Sequence, residues 1–131
     1  MATVRLLTDT EAGAEALAVL DDIRARRQTD YVNNFWRALA NDPALLRATW
    51  ERLQTVMAAG ALDPLAKEMI YLAVSTANGC DYCVHSHTAA ARAKGMTEAQ
   101  HAELLAVIAM ASQTNALATA LSVPVDERFM A

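Results

Sequence analysis

Glycine and proline are scarce, with four and three among 131 residues. Short strands need frequent turns, and turns draw heavily on these two residues, so their scarcity favours helices. The aliphatic pool, mostly Ala, Leu and Val, points the same way. An all-α fold is expected. A dense basic face is also missing: eleven basic and fifteen acidic side chains, scattered along the chain, give a net charge of −4. Nothing here neutralises a phosphate backbone, which argues against nucleic acid as a partner. Arg24, Arg26 and Arg27 form the one basic cluster, and they read as the solvated C-terminal end of a helix. No run of about 20 apolar residues is present to span a bilayer, and no charged segment leads into an apolar run as in a secretory signal. The expectation is a cytoplasmic protein with no membrane association. No nucleotide-binding glycine pattern occurs, so no nicotinamide or flavin cofactor is expected. The composition, 54% hydrophobic and 20% charged, is too apolar for disorder and leaves apolar surface for another subunit. The length fits one domain over residues 1–131.

Helical punctuation divides the chain into about six helices. Thr8 or Thr10 with Glu11 reads as a start, and Leu17, Leu20 and Ile23 then recur at helical spacing, giving a helix over roughly residues 10–27. Tyr31, Phe35 and Leu39, at intervals of four, predict a short second helix. Asp42 and Pro43 then open a third, whose stripe is Leu46, Trp50, Leu53 and Met57 and whose stop is Gly60. Asp63 and Pro64 repeat that grammar for a fourth helix, ended near residue 77 by Asn78 and Gly79. Beyond Met69 this helix is apolar nearly all round, including Ile70, Tyr71, Leu72 and Val74, the pattern of a helix surrounded by protein. A fifth helix is predicted from about Cys80 to Lys94, with Gly95 as its stop. A sixth starts at Thr97, with Gln100 completing a capping box, and reaches about residue 121. The tail after it reads as irregular, with Phe129 and Met130 free to dock on a neighbour.

Cysteine is scarcer still. Both cysteines and two of the three histidines fall in "ANGCDYCVHSH", residues 77–87. In a reducing compartment a close cysteine pair is catalytic or metal-binding more often than structural. Cys80 and Cys83 follow the Asn78-Gly79 stop directly, which places them in the first turn of a helix. Free backbone N–H groups and the positive dipole end stabilise a thiolate there. A spacing of three puts the two sulfurs within reach of each other as a dithiol or a disulfide. His87, four residues beyond Cys83, lies one turn further on the same face, where it can take or return a thiol proton. His85 points away from this stripe and His101 is isolated in the sixth helix, so both read as exposed or locally hydrogen-bonded.

Glu68 stands one turn into an otherwise apolar helix, where a carboxylate is costly without a partner. Standing alone, that position would suit a first-turn acid reaching solvent. The very short loop after this helix packs it against the next as an antiparallel hairpin, and His87 becomes its natural partner. A carboxylate on one ring nitrogen fixes the tautomer and raises the basicity of the other nitrogen. Covalent haem attachment fails because Val84, not His, follows the second cysteine. A thioredoxin fold needs flanking strands, and none is visible. Zinc held by Cys80, Cys83, His87 and Glu68, as a binding or redox-sensing site without turnover, stays open as the alternative, although structural zinc usually recruits a second Cys or His pair. A purely structural disulfide also stays open.

Residues 67–100, "KEMIYLAVSTANGCDYCVHSHTAAARAKGMTEAQ", resemble the alkylhydroperoxidase D (AhpD)-like family of the carboxymuconolactone decarboxylase superfamily. The match is a Glu, eleven residues, Cys-x-x-Cys, and a His three residues after the second cysteine, followed by helix, Gly and helix. It is tight over about a quarter of the chain, and the flanking helices agree only in kind. The resemblance implies an all-α homo-oligomer, trimer or hexamer, that reduces peroxides through a cysteine sulfenic acid resolved to a disulfide. It implies Glu68 and His87 as proton relay and Cys80 and Cys83 as the redox pair. Dipole reasoning favours Cys80 as the attacking thiol; the His87 spacing and the family pattern favour Cys83, which is the assignment adopted, with Cys80 resolving. Tyr82 stands where some members carry a His before the second cysteine. The decarboxylase branch lacks the cysteine pair, so lactone decarboxylation is not expected. An external dithiol, a lipoyl group or a small redox protein, would reset the site.

Overall fold

The computed structural model describes residues 1–130, which carry six α-helices, one 3-10 turn and no strand. The chain divides into two compact units, Met1–Ala58 and the residues from Ala59 on.

The first unit holds α1 (Ala14–Arg27), α2 (Asn34–Leu39) and α3 (Pro43–Met57), with α3 packing on both α1 and α2. The first helix begins four residues later than its capping signal predicts. Thr8 and Glu11 do bond as in a capping box, the Thr8 amide and hydroxyl each donating to Glu11 Oε2 at 2.9 Å, but they close an isolated turn. Gly13 then caps the helix proper. Asp42 caps α3 by accepting from the Leu45 amide, and α3 stops at Met57, short of Gly60, because Ala58 is already extended.

The core of this unit is Ala16, Val19, Leu20 and Ile23 of α1, Leu46 and Trp50 of α3, and Val32, Trp36 and Ala40 around α2. Here the predicted stripe is out of phase. Tyr31 and Phe35 are 64% and 43% exposed, while the inward positions are Val32, Trp36 and Ala40. The reason is local: α2 starts only at Asn34, so Tyr31 and Val32 belong to a non-helical lead-in that turns Val32 inward. The helix phase is then set from Asn33 rather than from Tyr31. Trp36 and Trp50 meet edge to face at 5.3 Å, and Trp50 Nε1 donates to Asp22 at 2.7 Å, giving the indole its polar partner.

The second unit holds α4 (Pro64–Ala77), α5 (Asp81–Ala93), α6 (Glu98–Ala120) and the 3-10 turn Glu127–Phe129. Asp63 caps α4 and Pro64 fills its first turn; Thr97 and Gln100 form the full capping box of α6. The helix pair α4–α5 is the most extensive packing in the chain, and α6 also packs on α4. Yet the expectation that α4 is enclosed is corrected: Leu72 is buried, but Ile70 and Val74 are 51% and 54% exposed. Packing by α5 and α6 covers only part of its circumference. No residue of the 23-residue α6 is buried, and Phe129 and Met130 are exposed as well. No helix among the described residues is long and apolar enough to cross a membrane.

Candidate active site

The turn between α4 and α5 builds the site. Gly79 adopts φ +68°, the left-handed conformation that terminates helices and suits glycine. Its amide donates to the Thr76 carbonyl at 3.1 Å, and the Cys80 amide donates to the Ser75 carbonyl at 3.0 Å. These are the two bonds of a Schellman stop. The same turn that ends α4 therefore delivers Cys80 as the N-cap of α5, where its Sγ accepts from the Cys83 amide at 3.2 Å. Cys80 and Cys83 are joined as a disulfide with Cα atoms 5.3 Å apart, and both residues are partly exposed. A sulfur in this position receives the backbone donor and dipole that stabilise a thiolate, so the structure directs that stabilisation at Cys80.

Glu68 is only 4% exposed. Its Oε2 meets His87 Nδ1 at 2.7 Å, across the α4–α5 interface. Its Oε1 accepts from Lys94 Nζ. Burial is the largest influence on this carboxyl and pushes its pKa up, but the hydrogen bonds from His87 and Lys94 and the Lys94 charge outweigh it and hold the group below its ordinary value. The carboxylate is therefore ionised at neutral pH and accepts only. His87 Nδ1 must carry the proton it donates, which leaves Nε2 as the ring's basic nitrogen. Tyr71 of α4 stacks on the imidazole with centroids 3.6 Å apart and planes 18° from parallel, fixing the ring's tilt.

The structure thus brings Glu68 and His87 together and joins Cys80 to Cys83. His85 Nδ1 donates locally to the Asp81 carbonyl, 2.8 Å away, and His101 stands on α6. Tyr82 is exposed at the rim of the pair. The four side chains considered for zinc are partitioned: the sulfurs are bonded to each other and the carboxylate to the imidazole. Among the described residues no group of three or more His, Cys, Asp or Glu is arranged to hold a metal ion. Two members of the site were not singled out from sequence. Lys94 was read as a helix end and Tyr71 as part of an apolar stripe. Spacing was the available signal, since Lys94 lies seven residues beyond His87 and Tyr71 three beyond Glu68, each on its partner's helical face.

Residues 43–126 match the carboxymuconolactone decarboxylase family. The alkyl hydroperoxide reductase AhpD of Solibacter usitatus (strain Ellin6076) is 41% identical over 75 residues, 57% of this chain and 40% of that protein. The chain thus aligns with less than half the length of that curated relative. The crystal structure of the alkylhydroperoxidase AhpD core from Rhodospirillum rubrum ATCC 11170 superposes with a TM-score of 0.96 at 69% identity, covering 100% of this chain and 98% of that one. With the family's residues matched from α3 through α6 and the fold reproduced helix for helix, this chain belongs to the carboxymuconolactone decarboxylase family as an AhpD-like member.

Proposed function

We propose that this chain is a dithiol peroxidase that reduces alkyl hydroperoxides, with Cys83 as the attacking thiol, Cys80 as the resolving thiol, and Glu68 and His87 as the proton relay. One observation carries the reading: the helix that opens with the Cys80–Cys83 disulfide also carries His87, one turn beyond Cys83, and that imidazole is paired with a buried carboxylate of the preceding helix. The relatives' printed names, an alkyl hydroperoxide reductase and an alkylhydroperoxidase, supply the substrate class.

In the reduced state His87 Nε2 takes the Cys83 proton. The thiolate attacks the distal peroxide oxygen, the O–O bond breaks, and His87 returns the proton to the departing alkoxide, giving an alcohol and a Cys83 sulfenic acid. Glu68, ionised and bonded through Oε2 to His87 Nδ1, stabilises the imidazolium that exists between the two transfers. The Cys80 thiolate then displaces the sulfenic hydroxyl, which leaves as water on receiving a proton, and the disulfide forms. Two electrons must come from outside, and an external dithiol such as a lipoyl group or a small redox protein supplies them by thiol–disulfide exchange. Cys80, whose Sγ accepts the Cys83 amide, is the better leaving thiolate in that exchange. The bare apolar length of α6 and the exposed side of α4 support assembly as a homo-oligomer, a trimer or hexamer. Light scattering coupled to size exclusion measures that assembly directly, and a monomer at micromolar concentration would refute it.

The test is consumption of an alkyl hydroperoxide with dihydrolipoamide as reductant. Wild type should turn over; Cys83→Ser should not; Cys80→Ser, reduced and then freed of dithiol, should consume one equivalent and stop at a sulfenic acid that a dimedone probe captures. Undiminished turnover by Cys83→Ser would refute the assignment.

A further inference from the structure

The second carboxylate oxygen of Glu68 is not used by the proposed relay, and it is not free. Lys94 Nζ occupies it, from the C-cap of α5, while the His87 ring occupies the other. His87 and Lys94 are the groups whose hydrogen bonds and charges pull this carboxyl down against its burial. Other titratable side chains on the packed elements are Lys67 and Tyr71 on α4, Asp81, Tyr82, His85 and Arg92 on α5, and Glu98, His101 and Glu103 on α6. The placement follows from α5 itself. His87 and Lys94 are seven residues apart, two helical turns, so one face of α5 presents an imidazole and an ammonium to the start of α4. Lys94 also sits where a helix C-terminus favours a cation.

We propose that Lys94 is a positioning residue of the relay: its ammonium fixes Glu68 Oε1, so that Oε2 alone meets His87, and its charge offsets the carboxylate's pull on the imidazole proton. The proposal rests on the reading of Glu68 and His87 as a proton relay. A buried carboxylate with only an imidazole for company favours the charged form of the ring, which cannot accept from a thiol. A fixed cation on the far oxygen restores the balance. It leaves the carboxylate ionised, so that Nδ1 keeps its hydrogen and the tautomer is locked, yet it weakens the field that would over-stabilise the charged ring. The side chain of Lys94 is 37% exposed and that of Glu68 5%, so the cation is hydrated on one side while acting on a group that is not.

The test is titration of His87 by ring-nitrogen NMR in wild type, Lys94→Gln, Lys94→Met and Lys94→Arg. It needs no substrate, so it reads the network whether or not the chain is a peroxidase. Removing the charge should raise the apparent midpoint of the Glu68–His87 pair by about one pH unit in both the Gln and Met variants. Lys94→Arg should stay within a few tenths of wild type. In the peroxide assay the acid limb of the rate profile should move up by the same amount in Lys94→Gln and return in Lys94→Arg. A folded Lys94→Gln protein with the wild-type midpoint would overturn the proposal while leaving the peroxidase reading intact. Loss of peroxide turnover in wild type with a shifted midpoint in Lys94→Gln would do the reverse. Should Lys94→Met fold poorly, Lys94→Gln, which removes the charge and keeps a polar amide on a shorter side chain, decides the matter together with Lys94→Arg.

Discussion

Replacing Glu68 with Gln tests the structural and the chemical content of the site at once. The side chain keeps its shape in a position 4% exposed, but it now has one acceptor oxygen where the carboxylate had two. The amide oxygen can accept from His87 Nδ1 or from Lys94, not from both, and its NH2 group is turned on whichever partner is left. One hydrogen bond to a charged group is lost, worth about 1.5–3 kcal/mol, and Lys94 recovers part of that by turning its half-wet side chain to solvent. The net loss should be about 2 kcal/mol, read as a lower urea midpoint at pH 7 with an unchanged slope, or as a fall in Tm of about 5–10 °C. The chemistry should suffer more. With His87 stripped of its anion, the imidazolium is less stable and Nε2 a weaker base, so the His87 midpoint should fall, opposite in sign to the Lys94 variants. Peroxide turnover with a dithiol should drop about 10²-fold, at the lower end of what a positioned acid–base group contributes. A Gln variant with wild-type turnover and an unmoved His87 midpoint would refute the coupling of carboxylate to imidazole, whatever its stability.

Three further outcomes follow from the same geometry. The folded-state pKa of Glu68 lies below its ordinary 4.5, so its ionised form contributes stability that is present above that value and is lost as pH falls through the folded pKa. The stability gap between wild type and Glu68→Gln should therefore narrow below about pH 4.5 in urea titrations, and a gap constant with pH would count against the ionised form. Reducing the disulfide should lower stability by no more than about 2 kcal/mol, since the closed loop is only four residues long. A much larger loss on adding dithiothreitol would mark the bond as a staple instead of a redox pair. Gly79→Ala, which meets no atom within 4 Å but must take φ +68°, should cost about 1–2 kcal/mol from backbone conformation alone. Because the Schellman turn also sets the Cys80 N-cap, disulfide formation should slow in this variant, and unchanged kinetics would separate the turn from the chemistry.

What the sequence disclosed depended on whether a signal was local. Asp42-Pro43, Asp63-Pro64, Thr97 with Gln100, and Asn78-Gly79 each carry their own capping chemistry within four residues, and each marks a helix boundary in the structure. The pairing of Glu68 with His87 was legible too, because a three-residue link between helices forces the hairpin on which it depends. Three features were not. The phase of α2 hinges on where six residues of helix begin, and a stripe of three aromatic and aliphatic residues at spacing four is satisfied by two adjacent registers. Thr8 and Glu11 carry a genuine capping bond that closes a turn without starting a helix, because Gly13 intervenes. Lys94 escaped notice for a different reason: a lysine just before a glycine is explained sufficiently as a helix end, and only the carboxylate opposite gives it a second role.

The carboxylate–imidazole network is assembled in the disulfide form. Glu68, His87, Lys94 and Tyr71 hold one another through contacts that include no sulfur, so breaking the Cys80–Cys83 bond removes none of them. On the peroxidase reading, the reduced enzyme therefore starts with its imidazole already in the tautomer and tilt the reaction uses. The reorganisation between half-reactions is confined to two side chains at one helix start. Groups fixed before the charge develops stabilise it without the expense of reorienting at the moment of reaction. Exposure fits this division of labour: the two cysteines, which on that reading meet a peroxide and then a second dithiol, are partly open, whereas Glu68 is 4% exposed. If the division holds, reduction should leave the His87 ring-nitrogen spectrum and its titration midpoint nearly where they are in the oxidised protein. A large change in either would mean that the disulfide, and not the carboxylate and its two partners, sets the geometry of the imidazole.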